Sequence, residues 1–293
     1  MNSAFGYYGA KLKIASQIIK FLPPHNAWVE AFCGSAAITI GKEQAPIEII
    51  NDLDDQVVNL FKQLRENSEE LLRVVSLTPY ARSEYFKAKE IDINDTSLEK
   101  ARKFLVSTMM TVNGAVGKTG AGFSYCQSYT RSGKEARVNR WYNFPERIEK
   151  VIERLRNVRI ENRDARELLN MFVNRPATLF YMDPPYLTDR THKYNYDIDE
   201  SFHIELLELS NKAKCMILIS GYENELYNKL LSPQYGWIKT IVNTSTSDTS
   251  GKKYSRKEIL WKNQYFEKAY NTNRIPIHLS NKERKENKVN PER

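Results

Sequence analysis

Residues 177–186 read ATLFYMDPPY and constrain the fold of this chain strongly. The apolar run predicts a short buried strand that ends at Asp183. Because Pro184 and Pro185 lack an N–H group and fix φ, the chain must leave the sheet there with a stiff shape. In open α/β sheets, ligands bind beyond the carboxyl ends of the strands. The carboxylate, a proline carbonyl and the ring of Tyr186 therefore predict a receptor for a planar ring that carries an amino group.

Two earlier segments also place an acid at the end of a predicted strand. Residues 27–32 predict a buried strand that ends in Glu30. A turn of small residues, which includes Gly34, follows the strand and leads into a predicted helix that extends to about residue 42. Residues 47–50 predict a second strand, followed by Asp52. The spacing from Gly34 to Asp52 matches the ~20 residues between the turn and the ribose-binding acid of Rossmann-like folds. Each feature alone fits a structural role as well as a functional one, but their order and spacing together favour a nucleoside site.

The α/β alternation stops between about residues 53 and 156, where helical periodicity prevails and a glycine-rich stretch, 113–123, indicates a mobile or tightly turned loop. The segment from Lys118 to Arg140 carries five basic residues and one acid, with aromatic residues in or beside it. Such a mixture suits phosphate contact and base stacking, and a solvated loop with packed aromatics explains it equally well. We interpret residues 57–144 as a mainly helical insertion into one catalytic domain, 1–56 plus 145–275.

The remaining chain predicts the other edge of the sheet. Residues 187–199 form a polar loop long enough to be functional. A further buried strand is predicted at 215–220, and strands at 237–243 and 256–261 indicate an antiparallel hairpin that closes an otherwise parallel sheet. Residues 276–293 are charged and predict a flexible tail.

Composition excludes several classes of protein. The net charge of +8 is compatible with a polyanionic partner, but equally with an ordinary basic protein. Three scattered cysteines and four histidines without ligand spacing indicate a reduced, cytosolic setting with no structural zinc or disulfide. No apolar run approaches the length of a membrane span, and the N-terminus shows no signal core, so we expect no membrane partner.

These motifs resemble those of a known family. The DPPY sequence at 183–186 resembles the catalytic motif of amino-group methyltransferases. The stretches 8–11 (YGAK), 30–34 (EAFCG), 219–222 (ISGY) and 256–261 (RKEILW) are similar, in order, to blocks of Dam-type (D12 class) DNA adenine-N6 methyltransferases of phages and bacteria. The sequence departs from the common pattern where alanine stands at 10, 31 and 36, and these changes put cofactor affinity in question.

The resemblance implies a Rossmann-like sheet dependent on S-adenosylmethionine, with an antiparallel hairpin at one edge and an inserted helical DNA-recognition subdomain. It implies transfer of a methyl group from S-adenosylmethionine to the N6 amine of an adenine flipped out of duplex DNA. Asp183, Pro184, Pro185 and Tyr186 would be catalytic. The cofactor would be bound by Tyr7, Lys11, Glu30, Phe32, Gly34, Asp52, Asp164 and Asp183.

We expect the basic and aromatic residues of the insertion and of the 187–199 loop to contact DNA, namely Lys118, Arg131, Arg137, Arg140, Arg190, Lys193 and Tyr194. The family also implies a cytoplasmic location and, in some systems, a cognate restriction endonuclease. Methylation of cytosine N4, of adenine in RNA, or a catalytically silent DNA-binding protein on the same fold remain alternatives at this point. The recognition sequence and the oligomeric state are not encoded in these motifs.

Overall fold

The protein is described from a computed structural model, which covers Phe5, Lys11 and residues 14–112, 122–127, 130–131, 133–187, 198–247 and 253–276. The side chains of residues 244–247 and 253–256 are outside this description. Tyr7, Lys118, Arg190, Lys193 and Tyr194, five of the predicted site residues, lie outside the described residues, as does the predicted tail after residue 276.

Helices and strands alternate at both ends of the chain and helices dominate the middle. The helices are α1 (Ala15–Ile19), α2 (Ala37–Gly41), α3 (Asp55–Glu66), α4 (Ser68–Leu77), α5 (Arg82–Lys89), α6 (Ser97–Met109), α7 (Ala136–Tyr142), α8 (Phe144–Leu155), α9 (Ala165–Phe172), α10 (Glu200–Lys212), α11 (Glu225–Leu230) and α12 (Gln264–Thr272). The strands are β1 (Ala27–Glu30), β2 (Ile47–Asn51), β3 (Thr130–Arg131), β4 (Lys134–Glu135), β5 (Val158–Glu161), β6 (Thr178–Met182), β7 (Met216–Gly221), β8 (Trp237–Ser247) and β9 (Lys253–Asn263).

Seven strands form one mixed, mainly parallel sheet in the order β5-β2-β1-β6-β7-β9-β8. The first five pair in parallel, and β9 pairs antiparallel with both β7 and β8. The chain order reverses between β1 and β6, which is the place where doubly wound sheets open a ligand crevice. The predicted α/β class and the antiparallel hairpin at one edge are therefore confirmed.

Alternate residues of each central strand contribute to cores on opposite faces of the sheet, as the period of two requires. Val29 and Phe180 point into one core with helices α9 and α10, whereas Trp28 and Leu179 point into the other with α1 and α12. Helices cover both faces, which explains why these strands are apolar throughout and show no polar alternation.

The middle helices share a hydrophobic core with one edge of the sheet. This cluster joins Ile50 of β2 and Val158 of β5 to Leu60 of α3, Phe104 of α6 and Val151 of α8. The core runs without interruption from the sheet into the segment 57–144. The boundaries of that segment as a separate subdomain remain a prediction.

The structure contains elements that the sequence patterns did not predict. The basic segment holds a two-stranded ribbon, β3 with β4, followed by α7. Helix α12 packs Phe266 and Ala269 against the sheet, whereas the sequence patterns predicted no helix after β9. No helix within the described ranges is long and apolar enough to cross a membrane.

Candidate active site

The carboxyl ends of four neighbouring parallel strands meet at one edge of the sheet. They bring together Glu30 at the end of β1, Asp52 just after β2, Asp183 just after β6 and Ser220 near the end of β7. The reversal of chain order lies between the strands that carry Glu30 and Asp183. Three predicted site residues that lie far apart in the sequence are therefore placed at one crevice by the topology.

One oxygen of Asp183 is fixed by hydrogen bonds and the other is left available. Oδ1 accepts from the Ser220 hydroxyl at 3.0 Å and lies 2.8 Å from the Lys11 Nζ. The Ser220 hydroxyl is itself 2.8 Å from the hydroxyl of buried Tyr181. Oδ2 and the Pro184 carbonyl have no hydrogen-bond donor among the described residues. These two acceptors are adjacent in the chain and can both face a ligand.

Lys11 connects Asp183 to a second buried carboxylate, Glu258 of β9. Its Nζ lies 2.9 Å from Glu258 Oε1 and also donates to the hydroxyl of Tyr186. Burial alone would lower the pKa of Lys11, but the charges of Asp183 and Glu258 raise it above its ordinary value. Burial raises the pKa of Glu258, and the attraction of Lys11 offsets this in part while Asp183 adds to it.

Tyr186 is held from several sides. Its hydroxyl donates to Glu258 Oε1 at 3.1 Å, and its ring centroid is 4.4 Å from that of Tyr222, at a tilt of 43°. Burial, together with the neighbouring carboxylates, raises the pKa of Tyr186 far above the physiological range, so its hydroxyl stays protonated and serves as a donor. The ring is therefore positioned by a network that includes Asp183, which lies three residues earlier.

Glu30 is a buried carboxyl without a cationic partner among the described residues. It is 3% exposed, and its Oε2 accepts from the Thr39 backbone N–H at 2.9 Å and from the Thr39 hydroxyl. Burial raises its pKa to about 7, although the bonds from Thr39 oppose this. A positively charged ligand nearby would favour the ionised form.

Asp52 is tied to the small-residue turn after β1. The Gly34 N–H donates to Asp52 Oδ2 at 2.8 Å, and burial raises the pKa of Asp52 to about 6. Gly34 has φ +46° and Ala36 has φ +51°, so both occupy the left-handed region. Glycine adopts this conformation freely, whereas alanine is strained there by on the order of 1 kcal/mol.

Asn51 supports this edge of the sheet, and the sequence patterns gave it no role. Its Nδ2 donates to the carbonyls of Ala31 and Arg163 at 2.9 and 3.0 Å, and its Oδ1 accepts from the Arg163 N–H. One side chain thus links the ends of three strands. A buried asparagine at a strand end, here 1% exposed, is the sequence signal that could have revealed it.

Phe32 and Asp164 flank the acidic crevice. Phe32 is half-buried, and its ring contacts Phe202 edge-on with centroids 6.3 Å apart. Asp164 caps α9 through the Arg166 N–H and forms an ion pair with the Arg166 side chain at 2.6 Å, which lowers its pKa. The role of Asp164 in cofactor binding remains a prediction.

The described basic residues of the insertion differ in their surroundings. Arg131 is exposed, whereas Arg137 and Arg140 on α7 are half-buried. Burial lowers the pKa of Arg140, and repulsion from Arg147 and Arg137 lowers it further. Neither Arg140 nor Arg147 forms an ion pair with a carboxylate among the described residues. Arg147, on α8, was not predicted from the sequence because the basic segment was taken to end at Arg140.

The sequence of this chain matches a known family. The model of the D12 class N6 adenine-specific DNA methyltransferase family covers residues 7–246. The chain belongs to this family. The D12 assignment makes the protein an adenine-specific DNA methyltransferase, and among the alternatives raised above it selects adenine over cytosine and DNA over RNA.

Other comparisons add little to the D12 assignment. Among curated proteins, none matches this chain. A solved structure of precorrin-6y C5,15-methyltransferase from Geobacter metallireducens GS-15 is 9% identical, with 90% of this chain and 98% of that chain covered and a TM-score of 0.40. The family assignment rests on the sequence match and not on this structural similarity.

Proposed function

We propose that this protein transfers a methyl group from S-adenosylmethionine to the N6 amine of an adenine that has been flipped out of duplex DNA. The observation that carries the proposal is the environment of Asp183. One carboxylate oxygen is fixed by Ser220 and Lys11, while the other oxygen and the Pro184 carbonyl, at the switch point of the sheet, have no donor among the described residues.

This pair of acceptors suits an aromatic amine. The lone pair of an exocyclic amine is delocalised into its ring, so the nitrogen is a poor nucleophile. If Asp183 Oδ2 and the Pro184 carbonyl each accept one N–H, a pyramidal nitrogen is favoured and its lone pair points away from the ring plane. The carboxylate also stabilises the positive charge that develops on nitrogen and is placed to take the proton that the product must lose.

The neighbouring acidic crevice suits a cationic cofactor. S-adenosylmethionine, when bound, supplies a methyl group activated by a positive sulfonium. Glu30 and Asp52 are carboxyls whose pKa values are raised by burial and which have no cation beside them in the described part of the chain. A ligand carrying an ammonium and a sulfonium would supply the missing charge. Asp52, beside the Gly34 N–H, would bind a ribose diol, and Phe32 offers an apolar surface.

The flipped base and the DNA backbone would be held by other groups. Tyr186 lies directly after the acceptor pair and offers its ring as a stacking surface. Unstacking a base costs a few kcal/mol, which phosphate contacts can offset. Arg137, Arg140 and Arg147 are suited to these contacts because they are half-buried and have no carboxylate partner in the part of the chain that the structure describes, and such guanidinium groups favour an anion. We accordingly propose the segment 57–144, with the start of α8, as the DNA-recognition region.

The test is methyl transfer by Asp183→Ala. Incubation of wild-type protein with duplex DNA and tritiated S-adenosylmethionine should yield labelled N6-methyladenine after digestion to nucleosides. Asp183→Ala should reduce transfer by at least roughly 1,000-fold, since it removes positioning and charge stabilisation together. DNA affinity and the circular dichroism spectrum should change little.

Asp55→Ala serves as the control, because Asp55 is an exposed aspartate in the first turn of α3. It should methylate at the wild-type rate. A near-wild-type rate for Asp183→Ala would refute the proposed role of the carboxylate. Label in another nucleoside, or none from wild-type protein, would refute the proposed reaction.

A further inference from the structure

The strongest unassigned feature of the catalytic centre is Glu258. It is 2% exposed, it lies in strand β9 directly before the apolar residues Ile259–Trp261, and it falls outside residues 7–246, which the family match covers. Burying a carboxylate in a strand is costly unless it is paired and hydrogen-bonded. Glu258 Oε1 is bound by two groups, the Lys11 ammonium at 2.9 Å and the Tyr186 hydroxyl at 3.1 Å. Both of these groups also contact Asp183.

We propose that Glu258 is a positioning residue for methyl transfer, which holds Lys11 and Tyr186 in place and shares the Lys11 ammonium with Asp183. The proposal rests on the proposed function, because it assigns a role in the same reaction. Glu258 does not reach the acceptor pair itself. It acts through the two side chains that flank Asp183.

The arrangement of donors supports this role. The three N–H groups of the Lys11 ammonium are directed to Asp183, Glu258 and the Tyr186 hydroxyl. The Tyr186 hydroxyl oxygen is closer to the carboxylate of Glu258 than to that of Asp183, at 3.1 against 3.4 Å. Glu258 therefore takes the tyrosine hydrogen bond and leaves Asp183 freer to accept from a substrate.

The balance of charge supports it as well. Two carboxylates share one ammonium, so the centre carries a net negative charge when both carboxylates are ionised, even with Lys11 protonated. If Glu258 were neutral, the ammonium would pair with Asp183 alone and weaken its attraction for the substrate amine. The other titratable groups that influence this pair are Tyr181, whose hydroxyl bonds Ser220, and Glu30, which adds negative charge.

The position of Glu258 is set by β9. Its neighbour Ile259 is paired with Gly221 of β7, one residue after Ser220, and Glu258 itself is paired with Val242 of β8. The reversed strand therefore delivers a carboxylate to the same edge that the parallel strands reach with their carboxyl ends.

The test compares Glu258→Gln with Glu258→Asp. Glu258→Gln keeps the shape and removes the charge, so kcat should fall roughly 10- to 100-fold. The acidic limb of its pH–rate profile should move to lower pH, because one of two competing carboxylates is gone. Glu258→Asp keeps the charge, so its acidic limb should stay near the wild-type position even if its kcat falls.

Glu267→Gln is the matched control. Glu267 is a half-buried glutamate that also pairs with a lysine, Lys262 of β9 at 2.5 Å, but it lies on α12, away from the crevice. Its kcat and acidic limb should equal those of wild-type protein. A Glu258→Gln enzyme that behaves like this control would overturn the proposal.

A second readout does not depend on methyl transfer. With 13C-labelled lysine, the NMR titration midpoint of Lys11 should fall in Glu258→Gln, since one of the charges that raises its pKa is removed. An unchanged midpoint would show that the ion pair is absent and would also overturn the proposal. Wild-type protein that transfers no methyl group would contradict the proposed function, whereas an active wild type with no effect of Glu258→Gln contradicts this inference alone.

Discussion

Two buried glutamates on neighbouring strands, Glu48 toward the amino end of β2 and Glu30 at the carboxyl end of β1, differ in the partners that the protein gives them. Glu48, near the start of β2, is 2% exposed and is bound by the Lys42 Nζ at 2.6 Å and by the Arg154 guanidinium. Burial alone would raise its pKa, but these hydrogen bonds and charges lower it. Glu30, at the carboxyl end of β1, is 3% exposed and its pKa is raised to about 7.

This difference in partners distinguishes a carboxylate that stabilises the fold from one that is available to a ligand. At the amino end of the strands, the protein supplies its own cations and the charges stabilise the fold. At the carboxyl end, the described residues give Glu30 hydrogen bonds from Thr39 and from the backbone of Ile38, but no ion pair. A carboxyl left in this state favours a cation that arrives from outside the protein.

The largest effect is expected where a structural pair is broken. Glu48→Gln would remove the carboxylate that pairs with buried Lys42 and half-buried Arg154. Breaking such a pair costs about 3–5 kcal/mol, which corresponds to a fall in Tm of roughly 10 °C for a chain of this size. Thermal denaturation followed by circular dichroism at pH 7 measures it. Glu43→Gln, an exposed neighbour, should leave Tm unchanged, and a Tm for Glu48→Gln within about 2 °C of wild type would remove the contrast between the two ends.

Replacing Glu30 should change Tm less, and should raise it. Its pKa is about 7 in the folded protein and about 4.5 when exposed, so the folded state loses stability as pH rises between these values. Glu30→Gln removes that loss. Its Tm should exceed the wild-type value by a few degrees at pH 8, and the difference should vanish near pH 4.5. A variant less stable than wild type at pH 8 would show that Glu30 is structurally paired after all.

The smallest effect is expected for the positively charged arginines of α7, and it concerns the salt dependence of DNA binding. Arg137→Gln with Arg140→Gln should flatten the dependence of log DNA affinity on log salt by about one unit for each phosphate that the protein no longer neutralises. Fluorescence anisotropy with duplex DNA across a salt series gives this slope. Arg73→Gln is the control, because Arg73 is exposed on the same insertion but paired with Glu70 at 2.7 Å. Equal slopes for the double variant and the control would exclude α7 from the DNA interface.

Sequence patterns located the parts of the site that follow directly from strand ends. Glu30, Asp52 and Asp183 each follow an apolar run, and the parallel sheet brings such ends together. Glu258 gave no comparable signal, because it lies within a strand pattern and meets Lys11 only through the folded chain. The role of a residue that acts through long-range interactions cannot be inferred from its local sequence.

Local sequence patterns also did not predict helix α7. Helix α7 follows a glycine-containing turn, and its charged and aromatic residues resemble a solvated loop. The helix is fixed by the burial of Trp141, whose Nε1 donates to the Thr78 carbonyl at 2.8 Å across the insertion. Thr78 directly follows α4, so this contact depends on a helix much earlier in the chain, which the local pattern around α7 does not show.

The contact of Lys11 with Glu258 brings together residues far apart in the chain at the proposed catalytic centre. During synthesis, Asp183 and Tyr186 leave the ribosome well before the strand that carries Glu258. A nascent chain can therefore contain the complete DPPY motif while the Lys11 ammonium still lacks one of its two carboxylate partners, Glu258. The enzyme should gain full activity only once β9 has inserted between β7 and β8, which makes methylation a measure of complete folding.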